Sequence, residues 1–161
     1  RATNILEIGT YTGYSALVCA LAMDKGRLIT LDRDPVMTEV AMKFWKMANV
    51  DRIIELKLGN ALDSLDELLS SEENIGSFDM IFIDADKRNY QAYYELCLKL
   101  IANDGIILFD NVLWSGDVAD PSNQEKDTVA LRDLNQFLFN DNRVNISMIP
   151  VGDGITMVQK K

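Results

Sequence analysis

The sequence predicts an α/β fold built on a doubly wound, mostly parallel sheet of seven strands, and three observations predict it. Short apolar runs alternate with helical patterns along the whole chain. The strand-like runs are continuously apolar, as in sheets covered on both faces. The last two runs are separated only by the tight turn Gly152-Asp153-Gly154, so the final strand runs antiparallel to its neighbours.

Each element has a local reason. NILEIG is the first strand, and the helix after it runs from about Gly13 to Met23. RLITLD is the second strand. Asp34-Pro35 then reads as an N-cap with proline at the first helical position, opening the helix VMTEVAMKFWKMA. RIIELKLG is the third strand and SLDELLSS a helix; FDMIFID is the fourth strand, followed by the helix NYQAYYELCLKLIA. GIILFD, the helix TVALRDLNQFLFND, VNISMIPV and ITMVQKK complete the order. Right-handed crossovers make this a Rossmann-like sheet, whose ligands sit beyond the carboxyl ends of the strands near the switch point. Tyr90, Tyr93, Tyr94, Phe137 and Phe139 read as helix-face packing. Trp114 reads equally as core or as a pocket wall.

Composition narrows the chemistry. With 161 residues, the chain suits one domain, 1–161, with a sizeable core. The opening reads as a buried strand, and because it begins at Arg1, an upstream segment is expected. No apolar run is long enough to span a membrane. Cys19 and Cys97 fit free thiols in a reducing cytoplasm. Histidine is absent, which excludes Ser-His-Asp and Cys-His machinery and leaves base work to Lys, Asp, Glu or Tyr. The net charge of −9 disfavours nucleic acid but not cations or a cationic cofactor.

The first strand ends in EIGTYTGYS, a glycine turn of the form G-x-x-x-G bracketed by Gly9 and Gly13. The dinucleotide fingerprint needs a middle glycine so that backbone can approach a pyrophosphate, and that glycine is missing. Glu7 would also repel an anion. The turn suits a cationic nucleoside without phosphates, S-adenosylmethionine (SAM). Asp32, at the end of the second strand, is placed for the ribose hydroxyls; Asp34 is the rival, read first as the helix cap.

Two oily runs end in polar groups, FIDADK and LFDNVLW. Strands four and five should be neighbours, so Asp84 and Asp110 meet above the sheet, with Asn111 turning in where the pleat breaks. Three hard oxygen donors without His or Cys favour Mg²⁺, Mn²⁺ or Ca²⁺. Asp86 reaches toward the cofactor. Lys87, beside a divalent cation, would act as a neutral general base.

The stretches LEIGTYTGYSAL, IFIDADKRNY, LFDNVLWSGDV and PVGDGITMV resemble the cation-dependent O-methyltransferases, the family of caffeoyl-CoA O-methyltransferases and, more distantly, catechol O-methyltransferase. The resemblance runs from Asn4 to Lys160 and implies the class I SAM-dependent methyltransferase fold. It implies SAM contacts from Glu7, Gly9, Thr10, Ser15, Asp32, Ala61 and Asp86, with Gly13 closing the turn and Asp84 reaching the same ligand. It implies a cation, Mg²⁺ first, on Asp84, Asp110 and Asn111, and a catalytic pair of Lys87 and Asp84 acting on a catechol-like or hydroxycinnamoyl hydroxyl. It also implies an N-terminal helical segment that closes the site and forms a homodimer. Ser115 stands where plant members carry Asn, which argues against assuming a caffeoyl-CoA substrate. Competing readings are a tRNA-nucleoside O-methyltransferase and a non-catalytic SAM-binding protein; an NAD-dependent oxidoreductase is disfavoured by the missing glycine.

Overall fold

The computed structural model describes residues 2–161. Its strands are β1 (Asn4–Ile8), β2 (Arg27–Asp32), β3 (Ile54–Leu58), β4 (Phe78–Ile83), β5 (Ile101–Asp110), β6 (Val144–Ile149) and β7 (Ile155–Lys160). Its helices are α1 (Tyr14–Ala22), α2 (Pro35–Met47), α3 (Ala61–Leu69), α4 (Tyr90–Leu100) and α5 (Lys126–Asn140). One seven-stranded sheet runs in the order β3-β2-β1-β4-β5-β7-β6. β1 pairs in parallel with both β2 and β4, so the order of winding reverses between β1 and β4. The hairpin places β7 between β5 and β6, antiparallel to both, as the short glycine turn predicts.

Side-chain alternation sorts the helices to the two faces. Ile5, Leu28 and Ile54 pack with Ala16 and Ala20 of α1 and Ala41 and Trp45 of α2. Leu6, Ile8, Ile81 and Phe109, on the opposite face, pack with α3, α4 and α5 through Leu65, Tyr94 and Leu131. Asp34 caps α2 by accepting from the N–H groups of Val36 and Met37, and Pro35 follows it.

Three sequence expectations are corrected. Helix α3 begins at Ala61 rather than Ser64, because the Asn60 side chain accepts from Leu62 N–H and caps the helix there. Ile101 and Ala102, read as the end of a helix, belong to β5. Ile101 leaves α4 in extended backbone, pairs with Phe78, and the register then shifts before Ile106 meets Met80. Phe139, read as packing, is 74% exposed. The inward stripe of α5 is Thr128, Leu131, Leu134 and Leu138, and Phe139 lies one residue, a quarter turn, off it. Tyr90, Tyr93 and Tyr94 are buried as expected, but all three carry their hydroxyls to acidic side chains or polar partners.

Candidate functional site

The site lies where β1, β2, β4 and β5 end. Ile8 is paired with Ile83, and Ile83 with Phe109, so Gly9, Asp84 and Asp110 leave adjacent strands side by side. Gly9 has φ 101°, and a Cβ added to it would lie 1.9 Å from the Asp84 carbonyl oxygen. Only glycine fits between these strand ends. The turn closes with Gly13 N–H donating to Thr10 C=O at 2.8 Å. Gly13 itself faces α2: Trp45 Nε1 donates to its carbonyl at 3.0 Å, and a Cβ there would strike Ala41 and Trp45.

Asp32 fixes the turn from β2. One of its carboxylate oxygens accepts from Thr10 N–H at 2.9 Å and Tyr11 N–H at 2.7 Å. The other accepts from Asp34 N–H at 2.9 Å. Below the turn, Glu7 is 2% exposed and accepts from the Thr30 hydroxyl, which is itself bonded to the Thr10 hydroxyl. Burial pushes the Glu7 carboxyl up to about 7, partly offset by hydrogen bonds from Ser15 and Thr30.

A cavity of about 600 Å³ opens above these strand ends, a size suited to a nucleoside-like ligand. Of the residues singled out in the sequence, Gly9, Thr10, Ser15, Asp32, Ala61, Asp84, Asp86 and Asp110 line it. Glu7, Gly13, Lys87 and Asn111 stand behind or beside that lining. Asp86 is held in the wall: Tyr93 OH donates to one oxygen at 2.6 Å and Asn89 Nδ2 to the other at 2.5 Å. The sequence reading missed Asn89 and the polar role of Tyr93. Their spacing from Asp86, i+3 and i+7, is the signal that would have found them, since it puts all three on one side of a helix start.

Beside the cavity lies a knot of oxygen atoms around one cation. Lys87 Nζ donates to Asp84 Oδ1 at 3.0 Å, Asn111 Oδ1 at 2.9 Å and the Tyr90 hydroxyl at 2.5 Å. Tyr90 OH donates in turn to the Asp110 carbonyl at 3.3 Å. Asn111 reaches the knot in a left-handed conformation, φ 61°, its N–H donating to Asp110 Oδ1 at 2.8 Å. Trp114 (φ 49°) and Ser115 (φ 55°) share that conformation in the following 3₁₀ turn, and the Trp114 ring centre is 5.7 Å from Lys87 Nζ. Left-handed backbone at three non-glycine residues is a concentration of strain of the kind found at ligand sites. Among the described residues, no cluster of three or more Cys, Asp or Glu side chains is arranged to hold a metal. The set Asp84, Asp110 and Asn111 has two carboxylates and one amide. Its chemistry suits a hard cation, and the Lys87 ammonium already draws two of its members together.

Residues 1–161 match the family model described as O-methyltransferase. The chain is 49% identical over 163 residues to "Probable caffeoyl-CoA O-methyltransferase 1" of Dictyostelium discoideum, covering 99% of this chain and 70% of that protein. It is 42% identical to the mouse (Mus musculus) "Catechol O-methyltransferase domain-containing protein 1", covering 99% of this chain and 61% of that one. Among solved structures it superposes on the O-methyltransferase from Bacillus cereus in complex with SAH, with a TM-score of 0.91 and 34% identity, over 99% of this chain and 74% of that one.

Proposed function

We propose a function on one premise: this chain belongs to the O-methyltransferase family. It is a SAM-dependent O-methyltransferase. Our reading goes further and gives it a divalent cation and a small aromatic acceptor carrying vicinal hydroxyls, as a catechol or hydroxycinnamoyl group does. The observation that carries this reading is the convergence of Asp84, Asn111 and Lys87 Nζ within hydrogen-bond distance, at the rim of the cavity and beside Asp110. The relatives' names, caffeoyl-CoA and catechol O-methyltransferase, point to acceptors of the same chemistry.

SAM supplies an electrophilic methyl group. Gly9, Asp32 and Asp86 would hold SAM: Gly9 lets the turn pass the Asp84 strand end, Asp32 holds the turn and would present its carboxylate to the ribose, and Asp86 would accept from the adenosyl group. Glu7, behind the turn, favours a ligand of positive charge. A divalent cation, Mg²⁺ first and Mn²⁺ or Ca²⁺ as alternatives, would be held by Asp84, Asp110 and Asn111 and would supply Lewis-acid polarisation of an acceptor hydroxyl. As a neutral amine beside the cation, Lys87 Nζ would receive the hydroxyl proton, held in place by Tyr90, which lies outside the cation set. Trp114 walls the acceptor side. The rest of the rate enhancement comes from orientation.

The same reading places the protein in a reducing, cytoplasmic compartment, consistent with the free thiols of Cys19 and Cys97, and makes it a homodimer. No helix among the described residues is long and apolar enough to cross a membrane. The deciding experiment is methyl transfer from labelled SAM to catechols, hydroxycinnamoyl esters and tRNA, with and without EDTA. We expect EDTA-sensitive methylation of the catechols. Asp110→Ala should lose about 10²-fold or more of that activity while binding SAM as wild type does. An Asp110→Ala enzyme fully active in EDTA would remove the cation from this reading.

A further inference from the structure

We propose that Tyr93 is a positioning residue for the cofactor: its hydroxyl locks the Asp86 carboxylate into the cavity wall so that the free lone pairs of that carboxylate face the adenosyl group of SAM. The proposal deepens the reading above, in which Asp86 accepts from SAM.

Asp86 sits in the turn between β4 and α4, where an unaided carboxylate would sample several rotamers in water. Here it does not. Tyr93 OH donates to Oδ1 at 2.6 Å and Asn89 Nδ2 to Oδ2 at 2.5 Å, while Asn89 N–H holds the Asp86 carbonyl at 3.1 Å. A carboxylate offers about four acceptor positions, so two tethers leave about two for a ligand. All three residues line the cavity. Tyr93 is a rigid tether: its ring is buried in the core beneath α4, and its phenol stays protonated, because burial and the Asp86 carboxylate both push it up. The hydroxyl can therefore only donate to Asp86, leaving the carboxylate aimed. Asn89 is free for the same work, since its side chain makes no capping bond to α4. Two donors on one helix start, converging on one carboxylate, would be excess for a loop aspartate with solubility as its only task.

The test is calorimetric binding of SAM and SAH without added metal, on the full chain, as a double-mutant cycle between Tyr93→Phe and Asp86→Ala. Phenylalanine keeps the ring and removes only the hydroxyl. Tyr93→Phe should weaken SAH binding about fivefold to tenfold, the value of one ordinary hydrogen bond, because the tether acts through Asp86 rather than on the ligand itself. Asp86→Ala should weaken it by at least about tenfold, and the double variant should match Asp86→Ala within about twofold, because Tyr93 acts only through Asp86. A role in packing alone would give additive losses, and additive losses or wild-type affinity for Tyr93→Phe overturn the proposal. If Asp86→Ala binds SAH as wild type does, the assignment of Asp86 to the cofactor fails, and the positioning role with it. If Tyr93→Phe does not fold, Asn89→Ala takes its place in the cycle with the same expected coupling and the same overturning result.

Discussion

Glu7 shows how a single residue here carries two demands. The sequence places it beside the first glycine, where it reads as a charge repelling phosphates. The structure buries it under the turn with Thr30 and Ser15 for company, and burial pushes its carboxyl up to about 7. The folded state therefore binds a proton that the unfolded chain, with an ordinary value of 4.5, releases earlier. The sign follows from linkage: the contribution to stability is fully present below pH 4.5 and is lost as pH rises through about 7. The loss is on the order of 3 kcal/mol between those limits. Glu7→Gln keeps the hydrogen bonds and removes the titration. Urea unfolding from pH 4 to 8 should show wild type losing stability across that window while the variant stays flat, the variant being the more stable at pH 8. Parallel curves would show that Glu7 is not the group responsible. A protein that keeps a carboxylate in this position at neutral pH accepts a stability cost, which a cationic ligand above the turn would offset.

At the scale of elements, the connection from β2 to α2 separates fold from site within three residues. Asp32 and Asp34 look alike in sequence, and either could have been the ribose ligand. In the structure, Asp34 belongs to its helix, accepting from Val36 and Met37 N–H, whereas Asp32 reaches across to the N–H groups of Thr10 and Tyr11. Asp34→Ala should cost about 1 kcal/mol of stability with SAM affinity unchanged. Asp32→Ala should lose most SAM binding, because the turn that shapes the cavity loses both of its anchors. Thermal melts and calorimetry on the two variants check this, and equal effects on affinity would erase the division. The same contrast explains what was legible in the sequence. The succession of elements and the adjacency of the two strands that end at Asp84 and Asp110 could be read, because apolar runs and strand-end polar residues are local signals. The start of β5 at Ile101 could not, since a buried isoleucine after a helix looks like one more helical turn until it finds Phe78. The tether Tyr93 went unread for a related reason, although its spacing from Asp86 carried a signal. Aromatic residues at helical spacing announce packing, and nothing in their identity reveals where the hydroxyl points.

At the scale of the whole molecule, charge bears on which acceptors the enzyme can use. The chain carries a net −9. The cavity lining repeats that bias, with Asp32, Asp84, Asp86 and Asp110 against Arg33 as its cation. Two further arginines are engaged elsewhere: Arg88 pairs with Asp127, and Arg132 donates to the carbonyls of Val118, Asp120 and Asn123. A bound divalent cation would leave that lining still negative. Fields of this kind raise the local concentration of cationic ligands and lower that of anionic ones, with an effect that salt screens beyond a Debye length of about 10 Å at 0.1 M. A series of acceptors sharing one vicinal dihydroxy ring but differing in charge isolates this term. At low salt, kcat/KM should fall from a catecholamine cation through a neutral catechol to a CoA thioester, by about tenfold or more across the series, and the spread should narrow as salt is raised to about 0.5 M. A tRNA, the extreme polyanion, should not be methylated, because an acidic surface releases no counterions from its phosphates. A CoA thioester preferred at low salt, with rates indifferent to ionic strength, would mean that local contacts outweigh the field of the molecule and that the acidic surface plays no part in choosing the acceptor.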